Sequence, residues 1–495
     1  MTERVQVAVV GSGFAGLATA IGLKRAGRHD FVVLERADDL GGTWRDISYP
    51  GCACDVPSHL YSFSFAPNPD WSRAFSPQPE IQAYLHRTAE QYDVLPHLRF
   101  GAELTQAEWD ETAQVWHLTT ARGPLDAELL VLGVGPLSDP SIPAIPGLDR
   151  FAGTTFHSAT WDHEHDLTGR RVAVIGTGAS AVQFVPEIQP KAGHLTVFQR
   201  TAPWVLPRRD RAISARERLL YKKIPALQKA ARTGIYWLRE SWILGFSFDQ
   251  RIMQLAEKQA RGFLSSQVAD PALREKLTPH FRLGCKRVLL SNTWFPALTQ
   301  PNVDVVTDRI TEVRPHGVVT EDGVEHPADT IIFGTGFLVT DPPVAERIVG
   351  RDGVSLQQHW GKDGMRALHG AMTSGFPNLF YLVGPNTGLG HTSIVFMIET
   401  QVAYLLDALR QLDARGLATL EPRPDVEAAY NERVQRRLQD TVWNTGGCAS
   451  WYLDRSGRNT TLWPTFTFTF RRQLRRCDLG EYVTTARTRT PEVAA

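Results

Sequence analysis

The sequence has few cysteines, no excess of either charge and no long apolar run. Its 495 residues include only 5 cysteines, so we expect no disulfide framework and interpret the protein as cytoplasmic. Lys and Arg together number 53, as do Asp and Glu, which leaves no bulk charge to attract nucleic acid. No window of about twenty residues is continuously apolar. We therefore predict neither nucleic-acid binding nor a transmembrane segment.

One aromatic-rich segment runs from Ile235 to Phe248, but Arg239, Glu240 and Gly245 interrupt it. We interpret it as a half-buried helix. A weak contact with a membrane surface stays open as the alternative. The chain length predicts two or three domains, while no feature of the sequence bears on the oligomeric state.

An internal repeat is the most informative feature of the sequence. The segment VAVVGSGFAG, from Val7, returns as VAVIGTGASA, from Val172. Each copy joins a β-branched run to a Gly-x-Gly-x-x-Gly/Ala turn, a helical pattern and a second strand, which is the βαβ fingerprint of dinucleotide binding. The glycines form the turn, let backbone N–H groups approach a pyrophosphate and let the helix pack closely. The candidate phosphate-binding residues are Gly11, Gly13, Gly16, Gly176, Gly178 and Ser180.

The two copies differ at the end of the second strand. Glu35 ends this strand in the first copy, where a carboxylate can accept hydrogen bonds from ribose hydroxyls and would repel a 2′-phosphate. Arg200 occupies the matched position in the second copy and is followed by Thr201. A guanidinium there suits a 2′-phosphate. We therefore predict FAD at the first site and NADPH at the second.

These patterns predict an α/β fold with two Rossmann-like dinucleotide-binding domains, for FAD and NADP, and a helical insertion. The apolar runs at 129–135 and 330–337 both end in glycines and are interpreted as crossings between the domains. The predicted bounds are 1–150 and 329–495 for the FAD domain, 151–207 and 285–328 for the NADP domain, and 208–284 for a helical cap.

Three further stretches resemble type I Baeyer–Villiger monooxygenases. Residues 151–162 (FAGTTFHSATWD) match the family pattern F-x-G-x-x-x-H-x-x-x-W-[P/D] at every specified position. Residues 41–55 match the longer pattern [A/G]-G-x-W-x-x-x-x-[F/Y]-P-[G/M]-x-x-x-D. Lys286 and Arg287 are similar to the Lys-Arg pair of the family. The resemblance covers nearly the whole chain.

The resemblance implies that NADPH reduces the flavin, and that a C4a-peroxyflavin formed with dioxygen converts a ketone into an ester or lactone. It implies that Arg287 stabilises the peroxide anion, that Asp55 orients Arg287, and that His157 has a conformational role. It also implies that Lys286 meets the 2′-phosphate and that Trp451 contacts the nicotinamide nucleotide. The flavin-side residues that it implies are Gly42, Thr43, Trp44 and Tyr61.

Two other reactions stay open at this point. A flavin-containing monooxygenase would oxidise nitrogen or sulfur, so a sulfide is an alternative substrate, and an NADPH oxidase would release only hydrogen peroxide. A disulfide reductase is disfavoured, because Cys52 and Cys54 stand one residue apart instead of in a Cys-x-x-Cys motif. The spacing of the histidines, cysteines and carboxylates predicts no metal site.

Overall fold

The computed structural model describes residues 2–487. The strands of the first half are β1 (Glu3–Val10), β2 (Phe31–Leu34), β3 (Leu98–Arg99), β4 (Leu104–Asp110), β5 (Val115–Thr120), β6 (Gly123–Leu132), β7 (Thr154–His157), β8 (Arg171–Ile175), β9 (His194–Phe198) and β10 (Val205–Leu206). Those of the second half are β11 (Leu289–Leu290), β12 (Val303–Val306), β13 (Ile310–Arg314), β14 (Gly317–Thr320), β15 (Glu325–Pro327), β16 (Thr330–Phe333), β17 (Ile348–Val349), β18 (Leu379–Tyr381), β19 (Leu417–Pro422) and β20 (Tyr482–Ala486).

The α-helices are α1 (Phe14–Arg25), α2 (Thr43–Asp46), α3 (Gln78–Gln91), α4 (Ala179–Ile188), α5 (Ala215–Lys223), α6 (Pro225–Glu240), α7 (Met253–Gln267), α8 (Pro271–Lys276), α9 (Trp294–Leu298), α10 (Leu356–Trp360), α11 (Ile394–Arg415), α12 (Pro424–Leu438), α13 (Val442–Thr445) and α14 (Thr467–Gln473). A short π-helix covers Leu244–Phe248. Within residues 2–487, no helix has both the length and the apolarity needed to cross a membrane.

The first repeat lies in an eight-stranded sheet with the order β17-β4-β5-β6-β1-β2-β3, in which β18 also pairs with β6. Strand β1 runs parallel to both of its neighbours, β2 and β6. Its Val7 and Val9 side chains have no exposed surface. Helix α1 follows directly and is buried on most sides, packing against the long helix α11. Such an apolar helix is stable only inside the protein.

The second repeat lies in a parallel sheet with the order β12-β9-β8-β16-β7. Strand β16 pairs with both β7 and β8, so residues 330–333 belong to this second sheet. The predicted start of the returning FAD domain at residue 329 is therefore wrong, and the chain crosses back only after Phe333. The error arose because a buried strand that ends in glycines has the same pattern in either sheet.

Helices α5 to α8 occupy residues 215–276 of the predicted cap. Helix α6 packs on the first domain, where Gln228 donates to the Asn68 carbonyl oxygen at 2.7 Å, whereas α7 packs on β10 and α9. The two-residue strands β10 and β11, one before and one after helices α5 to α8 in the chain, pair in parallel. Lys286 and Arg287 lie just before β11. The remaining domain bounds stay predictions, since the strand pairings do not fix them.

The sequence predicts no disulfide framework, but the described chain contains one disulfide that the sequence analysis missed, between Cys285 and Cys448. They are 163 residues apart in sequence, and their Cα atoms lie 6.2 Å apart. The loop around Gly446 packs on the chain before β11, where the Arg282 backbone N–H donates to the Gly446 carbonyl at 2.9 Å. This contact joins the segment before Lys286 to the loop before Trp451, and no spacing rule predicts it.

Candidate active site

A single cavity of about 1330 Å³ reaches from the first glycine turn to the second. This is larger than the roughly 300–1,000 Å³ typical of a site for one small ligand. All the predicted site residues line it except Gly16 and His157: Gly11, Gly13, Glu35, Gly42, Thr43, Trp44, Asp55, Tyr61, Gly176, Gly178, Ser180, Arg200, Thr201, Lys286, Arg287 and Trp451. The fold thus brings both halves of the repeat to one space.

Different glycines of the two turns are required for different physical reasons. Gly11 and Gly176 have φ of +95° and +105°, which side chains rarely adopt. A Cβ on Gly16 would lie 1.8 Å from the Gly11 carbonyl oxygen, so this residue serves helix packing below the turn. A Cβ on Gly13 or Gly178 would meet no protein atom closer than 3.7 Å. Their open faces fit a nucleotide phosphate that approaches the backbone.

Glu35 is held rigidly at the first site. It is 4% exposed and accepts hydrogen bonds from the Ser12 hydroxyl at 2.7 Å, the Ser12 N–H at 3.0 Å and the Ala37 N–H at 3.0 Å. Arg45 lies 3.0 Å away. Burial opposes ionisation, but these donors and the Arg45 charge outweigh it and lower the pKa of Glu35. The carboxylate is therefore charged and fixed in place for ribose hydroxyls.

The second site gathers two cations, Arg200 and Lys286, and neither forms an ion pair within residues 2–487. Lys286 Nζ donates to Thr201 Oγ1 at 3.0 Å. Burial lowers the pKa of Lys286, and the adjacent Arg200 charge lowers it further. Two like charges at the mouth of a glycine turn repel each other until an anion separates them. This donor set fits a phosphate that a plain NADH ribose does not carry.

Asp55 and Arg287 form a two-pronged ion pair on the cavity wall. Arg287 Nη2 donates to Asp55 Oδ1 at 2.6 Å, and Nε donates to Oδ2 at 2.5 Å. Burial penalises both charges, but their mutual attraction lowers the pKa of Asp55 and raises the pKa of Arg287. Both groups are therefore ionised over the working pH range. Arg287 Nη1 has only a long contact, 3.5 Å, with the Leu389 carbonyl oxygen and is left to face a ligand.

Two arginines that sequence reasoning missed surround this pair. Arg239 Nη2 lies 3.5 Å from the Asp55 carbonyl oxygen, and Arg208 Nη2 donates to the Cys54 carbonyl oxygen at 3.2 Å. Burial lowers the pKa of Arg239, against the attraction of the Asp55 charge. Arg208 precedes the cap helices and Arg239 lies on α6, where no motif spacing marks them.

The flavin-side residues connect the two domains. Trp44 Nε1 donates to Tyr61 Oη at 3.0 Å, and burial raises the pKa of Tyr61, which stays protonated. Gln183 of α4 contacts the segment before Asp55: it accepts from Tyr49 Oη at 2.9 Å and donates to the Ala53 carbonyl oxygen at 3.0 Å. The helix of the second turn thus packs directly on the predicted flavin loop.

His157 lies outside the cavity, so the structure does not join it to Asp55 and Arg287. Its side chain is buried at the end of β7, where Nδ1 accepts from the Ala159 N–H at 3.0 Å. Burial lowers the pKa of His157 to about 4, so the ring is neutral at physiological pH. It packs edge-on against Phe337, which follows the crossing after β16. This placement suits the predicted conformational role and not proton transfer to a substrate.

Cys52 and Cys54 are both free and buried. Burial raises the pKa of Cys52 to about 12 and that of Cys54 further still. Thiols that stay protonated are poor nucleophiles. This environment argues against the redox disulfide of a reductase.

Comparison with known proteins places this geometry in a family. The family model described as flavin-binding monooxygenase-like matches residues 4–252. A Streptomyces coelicolor protein named Baeyer-Villiger monooxygenase is 56% identical over 481 residues, covering 97% of this chain and 92% of that protein. The chain belongs to the Baeyer–Villiger flavin monooxygenase family. The resemblance of its three sequence patterns is thereby confirmed.

Solved structures of Baeyer–Villiger and related monooxygenases share the whole fold. A cyclohexanone monooxygenase from Rhodococcus sp. Phi1, bound to NADP⁺, is 29% identical, with a TM-score of 0.85 over 98% of this chain and all of that chain. The OTEMO complex with FAD and NADP is 26% identical, with a TM-score of 0.87 over the same shares. The predicted α/β fold is confirmed.

Proposed function

We propose that this chain is an FAD- and NADPH-dependent Baeyer–Villiger monooxygenase that converts ketones into esters or lactones. The observation that carries the proposal is the position of the Asp55–Arg287 pair on the wall of the cavity that both glycine turns share. When bound, the two cofactors supply hydride transfer and dioxygen activation. The side chains have to hold the two cofactors and to stabilise an oxyanion at the reacting centre without protonating it.

Arg287 is the proposed catalytic residue. A guanidinium keeps its proton, so it can stabilise an oxyanion at the reacting centre without protonating it. Two of its nitrogens are bonded to Asp55, which fixes the direction of Nη1 towards the cavity. A preorganised donor of this kind contributes about 3–4 kcal/mol to transition-state stabilisation. Asp55 is the proposed positioning residue.

The remaining predicted residues are proposed to bind the nucleotides. Glu35 accepts from the FAD ribose, while Arg200, Thr201 and Lys286 hold the 2′-phosphate of NADPH. Trp451, 44% exposed on the cavity wall, is proposed to cover the nicotinamide nucleotide. The Cys285–Cys448 disulfide supports this role, because it ties the Trp451 loop to the segment that carries Lys286.

Products formed under isotopically labelled dioxygen test the proposal. The purified flavoprotein would receive NADPH and, in separate reactions, cyclohexanone and a panel of sulfides, with Arg287→Ala as the control. We expect one labelled oxygen atom in the lactone from the parent enzyme and about 10²–10³-fold less lactone from the variant. Labelled sulfoxides without lactone, or hydrogen peroxide alone, would show that the cofactor sites were assigned correctly and the reaction wrongly.

A further inference from the structure

The outer surface of the cap concentrates exposed apolar side chains. Among residues 2–487, eighteen large apolar side chains are exposed, and ten of them lie between residues 219 and 255. Scattered apolar side chains are normal at a protein surface, but such a concentration marks an interaction site. We call the centre of this surface the cap face, defined by Leu227, Trp237, Leu238, Leu244, Phe248 and Phe468.

Ring contacts show that the cap face is continuous. Trp237 of α6 lies 5.9 Å from Phe468 of α14, measured between ring centroids. Phe468 in turn stacks on Phe466 at 4.9 Å, and Phe466 lies 5.5 Å from Phe248 at the end of the π-helix. Trp237, Leu238 and Phe248 are 54%, 68% and 61% exposed. Three separate chain segments therefore present one apolar surface.

The unpaired charge of residues 215–255, which carry most of the cap face, is positive, although Lys222 is paired with Asp70. Residues 215–255 contain eight Lys and Arg against three acidic residues, although the whole chain is balanced. All three acidic side chains are engaged: Glu217 pairs with Arg211, Asp249 pairs with Arg251, and Glu240 is buried. Lys223 and Lys229 are exposed and form no ion pair within the described chain. The uncompensated charge is positive.

We propose that the cap face docks on an anionic lipid bilayer. Aromatic and leucine side chains flanked by lysines are the composition that suits the lipid–water interface, where rings enter and ammonium groups meet headgroups. A second copy of the chain is the poorer occupant, because a symmetric dimer through this face would bring identical lysines together.

Docking there would place the bilayer close to the candidate active site. Helix α6 carries Trp237 and Leu238 outward, while Arg239 on the same turn reaches the Asp55 carbonyl oxygen. Only one helix, about 10 Å across, separates the two surfaces. The substrate class that fits is a lipophilic ketone dissolved in the membrane. This consequence rests on the proposed function, whereas the docking itself does not.

Co-sedimentation of the holoenzyme with vesicles tests the docking. The vesicles would be phosphatidylcholine, with and without phosphatidylglycerol. We expect the protein to bind those that contain phosphatidylglycerol, and the double variant Leu238→Asp, Phe248→Asp to lose binding. Val324→Asp, at an exposed apolar position far from the cap in sequence, is the control and should bind like the parent.

A second variant tests the contribution of the lysines to binding without changing the apolar side chains of the cap face. The pair Lys223→Glu, Lys229→Glu should bind at least about 30-fold more weakly, because removing each lysine from an anionic surface costs about 1 kcal/mol and each added carboxylate is repelled. Lys191→Glu on the second domain should have no effect. The proposal is overturned if the parent does not co-sediment with vesicles that contain phosphatidylglycerol. It is also overturned if the parent is a dimer that does not bind vesicles and that the Leu238→Asp, Phe248→Asp variant converts into a monomer. The cap face would then be a dimer interface.

Turnover of two ketones separates this proposal from the proposed function. The Leu238→Asp, Phe248→Asp variant should oxidise a short water-soluble ketone at the parent rate and a vesicle-embedded long-chain ketone more slowly. Equal rates on the embedded ketone would overturn membrane delivery. If the parent binds vesicles and oxidises neither ketone, the proposed function fails while the docking stands.

Discussion

The two glycine turns of this protein have nearly the same backbone but different surroundings. At the first, Glu35 is buried and already bonded to Ser12, Ala37 and Arg45. At the second, Arg200 is exposed and lies beside Lys286, and neither is ion-paired in the described part of the chain. The first site is complete before a nucleotide arrives, while the second lacks the negative charge that would balance it. This difference predicts that substitutions at the first site change stability and that substitutions at the second change cofactor binding.

Removing the buried carboxylate should have the largest effect. Glu35→Ala leaves Arg45 with Asp46 as its one remaining charged partner in residues 2–487 and leaves three donors without an acceptor, so we expect a loss of about 3 kcal/mol in the free energy of unfolding. Flavin should be lost with it. Thermal unfolding followed by flavin fluorescence would measure both. Arg200→Ala is the matched control, and an equal loss of stability there would remove the contrast between the sites.

Mild acid should destabilise both domains, because burial lowers the pKa of His157 in the second domain and of His359 in the first to about 4. The unfolded chain, in which a histidine has an ordinary pKa near 6.5, binds more protons between these values. Stability should therefore fall as the pH drops from about 6.5 to about 4, by at most about 3 kcal/mol for each histidine. Glu35 acts only at lower pH, since its pKa lies below the usual 4.5.

Chemical denaturation of parent and His157→Gln across this range measures the difference. The variant should have the shallower slope of unfolding free energy against pH. Parallel slopes would mean that His157 stays neutral in the unfolded chain as well, or titrates normally in the folded one.

Arg200→Ala should change cofactor selectivity instead of stability. A hydrogen bond to a charged group contributes about 1.5–3 kcal/mol, so the KM for NADPH should rise roughly 10- to 100-fold. The KM for NADH should stay the same, because NADH has no 2′-phosphate for Arg200 to bind. Steady-state kinetics with both cofactors, beside Lys191→Ala as a surface control, would decide. A similar rise for both cofactors would contradict the assignment of the second site.

The smallest effects separate the two glycines of the second turn. Gly176→Ala meets a φ of +105° and should destabilise the protein by roughly 1–2 kcal/mol. Gly178→Ala has free space in the protein and should leave unfolding unchanged while weakening NADPH binding. Thermal unfolding and NADP⁺ titration of the two variants test this. If Gly178→Ala also unfolds early, its open face has a structural role.

Much of the site could be predicted because its residues lie within short sequence motifs. Glu35 and Arg200 stand at matched positions of an ungapped repeat, so a rule about strand ends locates both. Asp55 and Arg287 are 232 residues apart, and only the family resemblance predicted that they meet. Their bonded geometry, and the charge on each group, required the structure.

Other features depend on contacts that no short pattern encodes. Arg239 reaches Asp55 from a cap helix, and the Cys285–Cys448 bond joins segments 163 residues apart. Strand β16 was assigned to the wrong domain because its pairing partners lie far away in sequence. The sequence showed that 235–248 is aromatic-rich, but only the packing showed which of these side chains face outward.

The two half-reactions of the parent and of Arg287→Ala, measured separately, test the central claim most directly. Flavin reduction by NADPH would be followed without dioxygen, and the ester formed per NADPH would be measured with dioxygen and ketone. We predict that Arg287→Ala is reduced at a rate close to the parent and forms about 10²–10³-fold less ester. Ester formation at the parent rate would contradict the claim that Arg287, held by Asp55, stabilises the reacting oxygen.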